Sequence, residues 1–138
     1  MPLPYIQATG NLTRDPELSF TANGAARARI TLACNNRYLD RQTNEWKNGE
    51  PTYLNVTVWR DMAENIANSL QKGDAVTVVG RLKQRKWEQD GQTREAFEVD
   101  ADSISADLRR ATVTVQRVER TSTTRIDDQW ASDEISPF

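Results

Sequence analysis

Apolar and polar side chains alternate along residues 25–37. One parity is small or aliphatic from Ala26 to Cys34, and the other carries Arg27, Arg29 and Arg37. Apolar side chains at every second position are typical of a strand with one face buried and the other in solvent. The pattern therefore predicts a half-buried strand with arginines on its outer face.

The same alternation over residues 52–60 sets aromatic side chains opposite aliphatic ones. One face is aliphatic from Leu54 to Val58, and the other carries Tyr53 and Trp59. If the aliphatic face is core, both rings lie on the surface. If the sheet is covered on both faces, both rings are core instead.

Helical spacing replaces alternation over residues 61–72, where apolar residues from Met62 to Leu70 recur every fourth position. Asp61 is suited to cap the N-terminus of this helix, and Gly73 is suited to end it. We predict one helix here.

The remaining segments predict strands and one long loop. Residues 5–13 read as a first strand, and residues 39–51, which are polar and rich in turn formers, read as a loop. A β-rich run over residues 75–87 is followed by the hairpin turn Asp90–Gly91 and a return strand. Residues 111–118 form one more β-type run.

Three strands, a helix and two further strands form the order of the oligonucleotide/oligosaccharide-binding (OB) fold, an all-β barrel of five strands. The helix lies between the third and fourth strands. We assign residues 1–110 to this domain, residues 111–118 to an additional strand, and residues 119–138 to a flexible acidic tail.

The residue inventory excludes several kinds of catalytic site. The chain has no histidine and one cysteine, Cys34, so one chain cannot build a His/Cys zinc site, a Ser-His-Asp triad or a Cys-His pair. We expect no enzymatic activity, no cofactor and no metal. The first residues do not resemble a signal peptide and no run is long enough to span a bilayer, which predicts a cytoplasmic protein.

Cations and outward aromatics are interleaved, although the formal net charge is −2. Single-stranded nucleic acid presents charged phosphates and unstacked bases, and a surface of this kind meets both. The predicted stacking residues are Tyr38, Tyr53, Trp59 and Trp87. The cations between them are Arg29, Arg37, Arg41, Arg60, Lys83, Arg85 and Lys86.

Two other functions stay open on the residues alone. An OB barrel can use an aromatic face to bind a protein partner instead of a nucleic acid. A metal-dependent nuclease would need carboxylates, and the pairs Asp15 with Glu17 and Asp100 with Asp102 are the candidates. We interpret both pairs as solvated acids near turns.

Ordered motifs along the chain resemble those of bacterial single-stranded DNA-binding proteins. Residues 10–18, GNLTRDPEL, are similar to the G-N-L-x-x-D-P-E-x opening of that family, and residues 80–87, GRLKQRKW, to its G-R-L-x-x-R-x-W segment. The match runs over residues 4–118, and the loop at residues 40–47 is similar to actinobacterial members in particular.

The resemblance implies sequence-tolerant binding of single-stranded DNA in replication, recombination and repair, by a nucleoid-associated homotetramer. Its four stacking aromatics align with Tyr38, Tyr53, Trp59 and Trp87, and its cations with Arg41, Lys72, Arg85 and Lys86. In some actinobacterial members a strand after the barrel clasps a neighbouring subunit, which residues 111–118 are placed to do.

The end of the chain departs from the family pattern. Family members usually finish close to D-D-D-I-P-F, and that tip docks on replication and repair proteins. The corresponding residues here are Asp133, Glu134, Ile135, Pro137 and Phe138, with Ser136 inserted in the apolar part. We expect this altered tip to bind the same partners more weakly, as in a secondary paralogue.

Overall fold

Five strands of the computed structural model close into a barrel. The structure describes residues 2–119. Its strands are β1 (Tyr5–Leu12), β2 (Glu17–Phe20), β3 (Ala26–Cys34), β4 (Arg37–Asp40), β5 (Glu45–Asn48), β6 (Thr52–Trp59), β7 (Ala75–Gln89) and β8 (Gln92–Ala106). One helix, α1 (Arg60–Ser69), follows β6.

The order of the paired strands is that of the predicted fold. The main sheet runs β1-β7-β8-β6-β3-β2, and a further pairing of β1 with β3 joins its two sides. β6 and β8 are parallel, whereas the other pairs are antiparallel. The five-stranded barrel with one helix before its fourth strand is therefore confirmed.

The core follows the parity predicted from the sequence. At most 1% of the surface is exposed for each of four core residues, Ala28, Leu32, Val56 and Val58. They pack with Val76, Val78 and Val99 of the other strands and with Ile66 of α1. Because the aliphatic face of β6 is inside the barrel, its aromatic face is outside.

Close approach of two strands requires a glycine at position 80. A Cβ atom there would overlap the carbonyl oxygen of Asp100 and lie 2.8 Å from the Cα of Ala101. The register between β7 and β8 also shifts at Val79 and Gly80. This irregularity bends the two longest strands, and their outer halves extend beyond the barrel as a hairpin.

Three predicted boundaries are wrong. The helix begins at Arg60, so Asp61 lies in its first turn and does not occupy the cap position. There the positive end of the helix dipole stabilises the Asp61 carboxylate. The helix ends at Ser69, before Gly73. The strand predicted over residues 25–37 ends at Cys34. The interval that was predicted to be a loop contains a hairpin, in which β4 and β5 pair with each other.

The additional strand predicted at residues 111–118 is not formed among residues 2–119, where no described strand pairs with this segment. It runs beside α1 along a groove that Asn65, Thr112 and Val118 help to line. If this segment clasps a neighbouring subunit, its pairing partner is a strand of that subunit. The clasp therefore stays a prediction. Most of the predicted tail lies outside the described residues.

Among residues 2–119, no helix has the length and apolar character needed to cross a membrane.

Candidate nucleic-acid interface

The outer face of β6 presents two aromatic rings beside small and basic neighbours on β3. Tyr53 lies opposite Ala33, and Trp59 lies opposite Arg27. Tyr53 is 63% exposed and Trp59 is 41% exposed. Ala33 is too short to cover the tyrosine ring, so a flat ligand can reach it. The prediction that both rings face solvent is confirmed.

Arg27 and Arg29 supply positive charge along the same face. The Arg27 guanidinium carbon is 5.9 Å from the centroid of the Trp59 ring, near the limit of a cation–π contact. Arg29 is exposed and lies opposite Thr57, two residues from Trp59. A phosphate bonded to either arginine would place its base within reach of the β6 rings.

Trp87 stands on the outer half of the β7–β8 hairpin and is half-buried. The Arg85 guanidinium carbon is 4.9 Å from its ring centroid. The ring therefore faces outward as predicted, but a cation already covers part of it. A base can stack only on the remaining area or after Arg85 moves to a phosphate.

Carboxylates on β8 hold the cations of β7. Lys83 Nζ lies 3.8 Å from Asp100, the Arg85 guanidinium lies 3.2 Å from Glu98, and that of Arg81 lies 3.7 Å from Asp102. We call Glu98, Asp100 and Asp102 the acidic row. All three pairs are partly exposed, so each contributes little to folding.

The acidic row separates the aromatic strand from the basic one. Glu98 is in register with Asn55 of β6 and Lys83 of β7. Asp100 is likewise in register with Thr57 and Arg81. Phosphates are repelled from this row, so a bound strand must hold them to either side, near the β3 arginines or the β7 cations.

The acidic row also contacts Tyr5, an exposed aromatic residue that was not predicted from the sequence to have a role. The Tyr5 hydroxyl donates a hydrogen bond to the Asp102 carboxylate. This bond raises the pKa of Tyr5, because it favours the protonated hydroxyl. The carboxylates once considered for a metal are thus engaged with protein groups, since Asp15 also accepts a bond from the Lys72 backbone at 2.8 Å.

Tyr38 lies on the β4–β5 hairpin, a two-stranded sheet separate from the barrel ladder. It is 48% exposed and lies opposite Lys47, whose ammonium is 2.8 Å from Asp40. That ion pair and the backbone N–H of Gln42 lower the pKa of Asp40. The hairpin therefore presents Tyr38 beside a cation, on a sheet separate from the one that carries the β6 rings.

Several predicted phosphate-binding residues do not share the aromatic face. Lys86 lies opposite Glu95, one position from Trp87, and so points to the other side of the β7–β8 hairpin. Lys72 is in the connection after α1, where its backbone N–H bonds Asp15. Arg37 lies on the side of its hairpin away from Tyr38. Arg41 is exposed in the turn of that hairpin.

Three more exposed rings were not predicted from the sequence: Phe20, Trp46 and Phe97, at 62%, 63% and 55% exposure. Trp46 fell in the segment interpreted as a loop, to which strand parity was not applied. Phe97 has the parity of the buried Val99, but it lies beyond the end of the barrel core. Residues 45–48, EWKN, are too few and too polar for alternation to have revealed Trp46.

Comparison with known proteins gives consistent matches. The model of the single-strand binding protein family matches residues 5–107. A single-stranded DNA-binding protein of Mycobacterium tuberculosis is 45% identical over 142 aligned positions, which cover 92% of this chain and 87% of that protein. Single-stranded DNA-binding protein 2 of Streptomyces coelicolor is 51% identical over 113 positions, covering 81% and 57% respectively.

A solved structure shows the same fold. The crystal structure of a small single-stranded DNA-binding protein from Streptomyces coelicolor superposes with a TM-score of 0.70 at 38% identity. The superposition covers 80% of this chain and all of the other.

Proposed function

Because the chain belongs to the single-strand binding protein family, we propose that it binds and protects single-stranded DNA without sequence preference, in replication, recombination and repair. The observation that carries this proposal is the pair of exposed rings on β6, with arginines on the adjacent strand. The family consists of DNA-binding proteins and not of enzymes, in agreement with the absence of catalytic motifs.

Stacking supplies the part of the affinity that does not depend on charge. Each base stacked on an aromatic ring contributes about 1–3 kcal/mol, whatever the base, because every base has a π-face. Tyr53 and Trp59 offer accessible rings on the barrel, Tyr38 offers one on the β4–β5 hairpin, and Trp87 offers a fourth. This explains how a chain with a net charge of −2 can bind a polyanion.

Cations on both sides of the acidic row bind the phosphates. Arg29 serves the β3 side, and Lys83 and Arg85 serve the β7 side by exchanging a carboxylate for a phosphate oxygen. Arg37, Arg41, Lys72 and Lys86 lie off this face and bind phosphates where the strand leaves it. The bases then lie above the acidic row, and the phosphates avoid it.

The working form is a homotetramer in the cytoplasm, associated with the nucleoid. Residues 111–118 carry exposed valines at positions 113 and 115, of which Val115 is 89% exposed. Alternating valines on an unpaired extended segment suit pairing with the edge of a second subunit. At the end of the chain, Asp133, Glu134, Ile135, Pro137 and Phe138 recruit replication and repair proteins.

Fluorescence titration with oligo(dT) tests the DNA-binding proposal directly, with no partner protein present. Tryptophan emission should fall as bases stack on Trp59 and Trp87. The W59A variant should bind roughly 5- to 150-fold more weakly. Its melting temperature should stay near that of the parent, because the ring is exposed. Absence of both quenching and a gel shift at low salt would refute the proposal, and unfolding of W59A would show that the ring is structural.

A further inference from the structure

The β4–β5 hairpin has a second face, opposite to the face that carries Tyr38. Successive side chains of a strand point to opposite sides, so Arg37 and Leu39 share the face that Tyr38 does not. The register places Trp46 directly opposite Leu39 and therefore on this second face. We call the surface formed by Arg37, Leu39 and Trp46 the Trp46 face.

The Trp46 face is apolar and open. Trp46 is 63% exposed, against 41% for Trp59, and Leu39 beside it is 40% exposed. Trp87 is half-buried, so Trp46 is the most accessible tryptophan in the described part of the chain. A large ring left uncovered beside an exposed leucine is typical of an interaction surface.

The charges on the two faces of the hairpin differ, and those of the Trp46 face suit a polyanion. The hairpin's acids, Asp40 and Glu45, lie opposite each other on the Tyr38 face. The position opposite Arg37 on the Trp46 face is Asn48, which is neutral. Within the two strands, the Trp46 face therefore carries a positive charge and no carboxylate.

The geometry around the indole leaves room for a base. The guanidinium carbon of Arg37 is 5.9 Å from the ring centroid, at the outer limit of about 6 Å for a cation–π contact. An arginine this far from the ring does not cover it closely, and its donors remain available to a phosphate next to a stacked base.

We propose that Trp46 is a further stacking residue for single-stranded DNA and that Arg37 binds the adjacent phosphate. This inference rests on the proposed function. The β4–β5 hairpin then binds nucleotides on both of its faces, with Tyr38 and Lys47 on one and Trp46 and Arg37 on the other. A strand long enough to pass around the hairpin is required to occupy both.

A variant with a single tryptophan tests the inference separately from the proposed function. Trp59, Trp87 and Trp130 are changed to Phe, which keeps an aromatic ring at each position, so that emission comes from Trp46 alone. Binding of long, dye-labelled oligo(dT) is followed by anisotropy of the dye. The emission of Trp46 should fall in parallel with the rise in anisotropy. If the anisotropy saturates while the emission of Trp46 is unchanged, the inference is overturned and the proposed function stays intact. If the parent chain does not raise the anisotropy, the proposed function itself is refuted.

The W46A variant gives the size of the contribution. Affinity for long oligo(dT) should fall roughly fivefold or more, and W46F should restore most of it, because the ring is retained. L39A is the matched control on the same face and should bind within about twofold of the parent, since Leu39 offers no π-face.

Light scattering distinguishes a contact with DNA from a contact between copies. W46A should have the same mass in solution as the parent and a similar melting temperature. A smaller assembly for W46A would assign this face to a subunit contact. An equal loss of affinity in L39A would show that the contribution of this face does not come from stacking on Trp46. Either result would overturn the inference.

Discussion

Neutralising one carboxylate of the acidic row should make DNA binding tighter and more sensitive to salt. In the unbound protein, Asp100 lies 3.8 Å from the Lys83 ammonium. When a DNA phosphate forms an ion pair with Lys83, Asp100 loses its own ion pair and binds a cation from solution. That uptake offsets the counterions released by the DNA. The D100N variant removes the offset.

The magnitude follows from the salt dependence of single-stranded binding. Each neutralised phosphate contributes about 0.7 to the slope of log K against log salt concentration. The D100N slope should therefore be steeper by up to about 0.7, which is roughly fivefold more affinity gained per tenfold dilution of salt. The pair is partly exposed, so the free energy of unfolding should change by no more than about 1 kcal/mol.

Titrations with oligo(dT) at four or more salt concentrations measure this slope. D107N is the matched control, because Asp107 also pairs with a cation, Arg109, at 2.6 Å, but lies after the end of β8 and outside the acidic row. An unchanged slope in D100N would place Lys83 off the DNA path. Equal steepening in D107N would show that net charge alone is responsible, and the reasoning about the acidic row would be wrong.

Two further predictions concern the scaffold. G80A should lower the free energy of unfolding by about 1–3 kcal/mol in urea titrations, because its Cβ would overlap the Asp100 carbonyl. G24A is the control for the cost of a positive φ alone, since no atom lies within 4 Å of the Cβ added there. A loss in G80A no larger than in G24A would contradict the steric argument. Lys47 and the Gln42 N–H hold the pKa of Asp40 below its usual range, so their stabilisation of the hairpin is complete above the unfolded pKa and is lost as pH falls through the folded pKa. In an NMR titration, K47Q should move the Asp40 midpoint upward, and an unmoved midpoint would show that the ion pair has no such effect.

The sequence predicted the barrel and the faces of β3 and β6 because both depend on local alternation. The parity that buries Val56 and Val58 also exposes Tyr53 and Trp59, and one residue of slip would reverse all four. The helix, too, was visible from spacing alone. Its N-terminus was misplaced because no side-chain cap marks it, and Trp59 occupies the cap position.

Features that depend on pairing between distant residues were beyond the sequence. The salt bridges of Lys83 and Arg85 with acids on β8 require the register across the β7–β8 hairpin, and that register shifts at Gly80. The side of Lys86, by contrast, follows from local alternation, because Lys86 directly precedes Trp87 on β7. Trp46 was missed because four-residue strands are too short for alternation to stand out among polar turn residues.

The β4–β5 hairpin is joined to the barrel by its flanking backbone and not by a shared ladder in residues 2–119. The backbone bond from the Gly49 N–H to the Asn36 carbonyl, 2.5 Å long, closes the base of this arm. Substitutions in the arm therefore leave the barrel core untouched. Grafting this arm onto the barrel of another member of the family should therefore leave the recipient's core ladder intact.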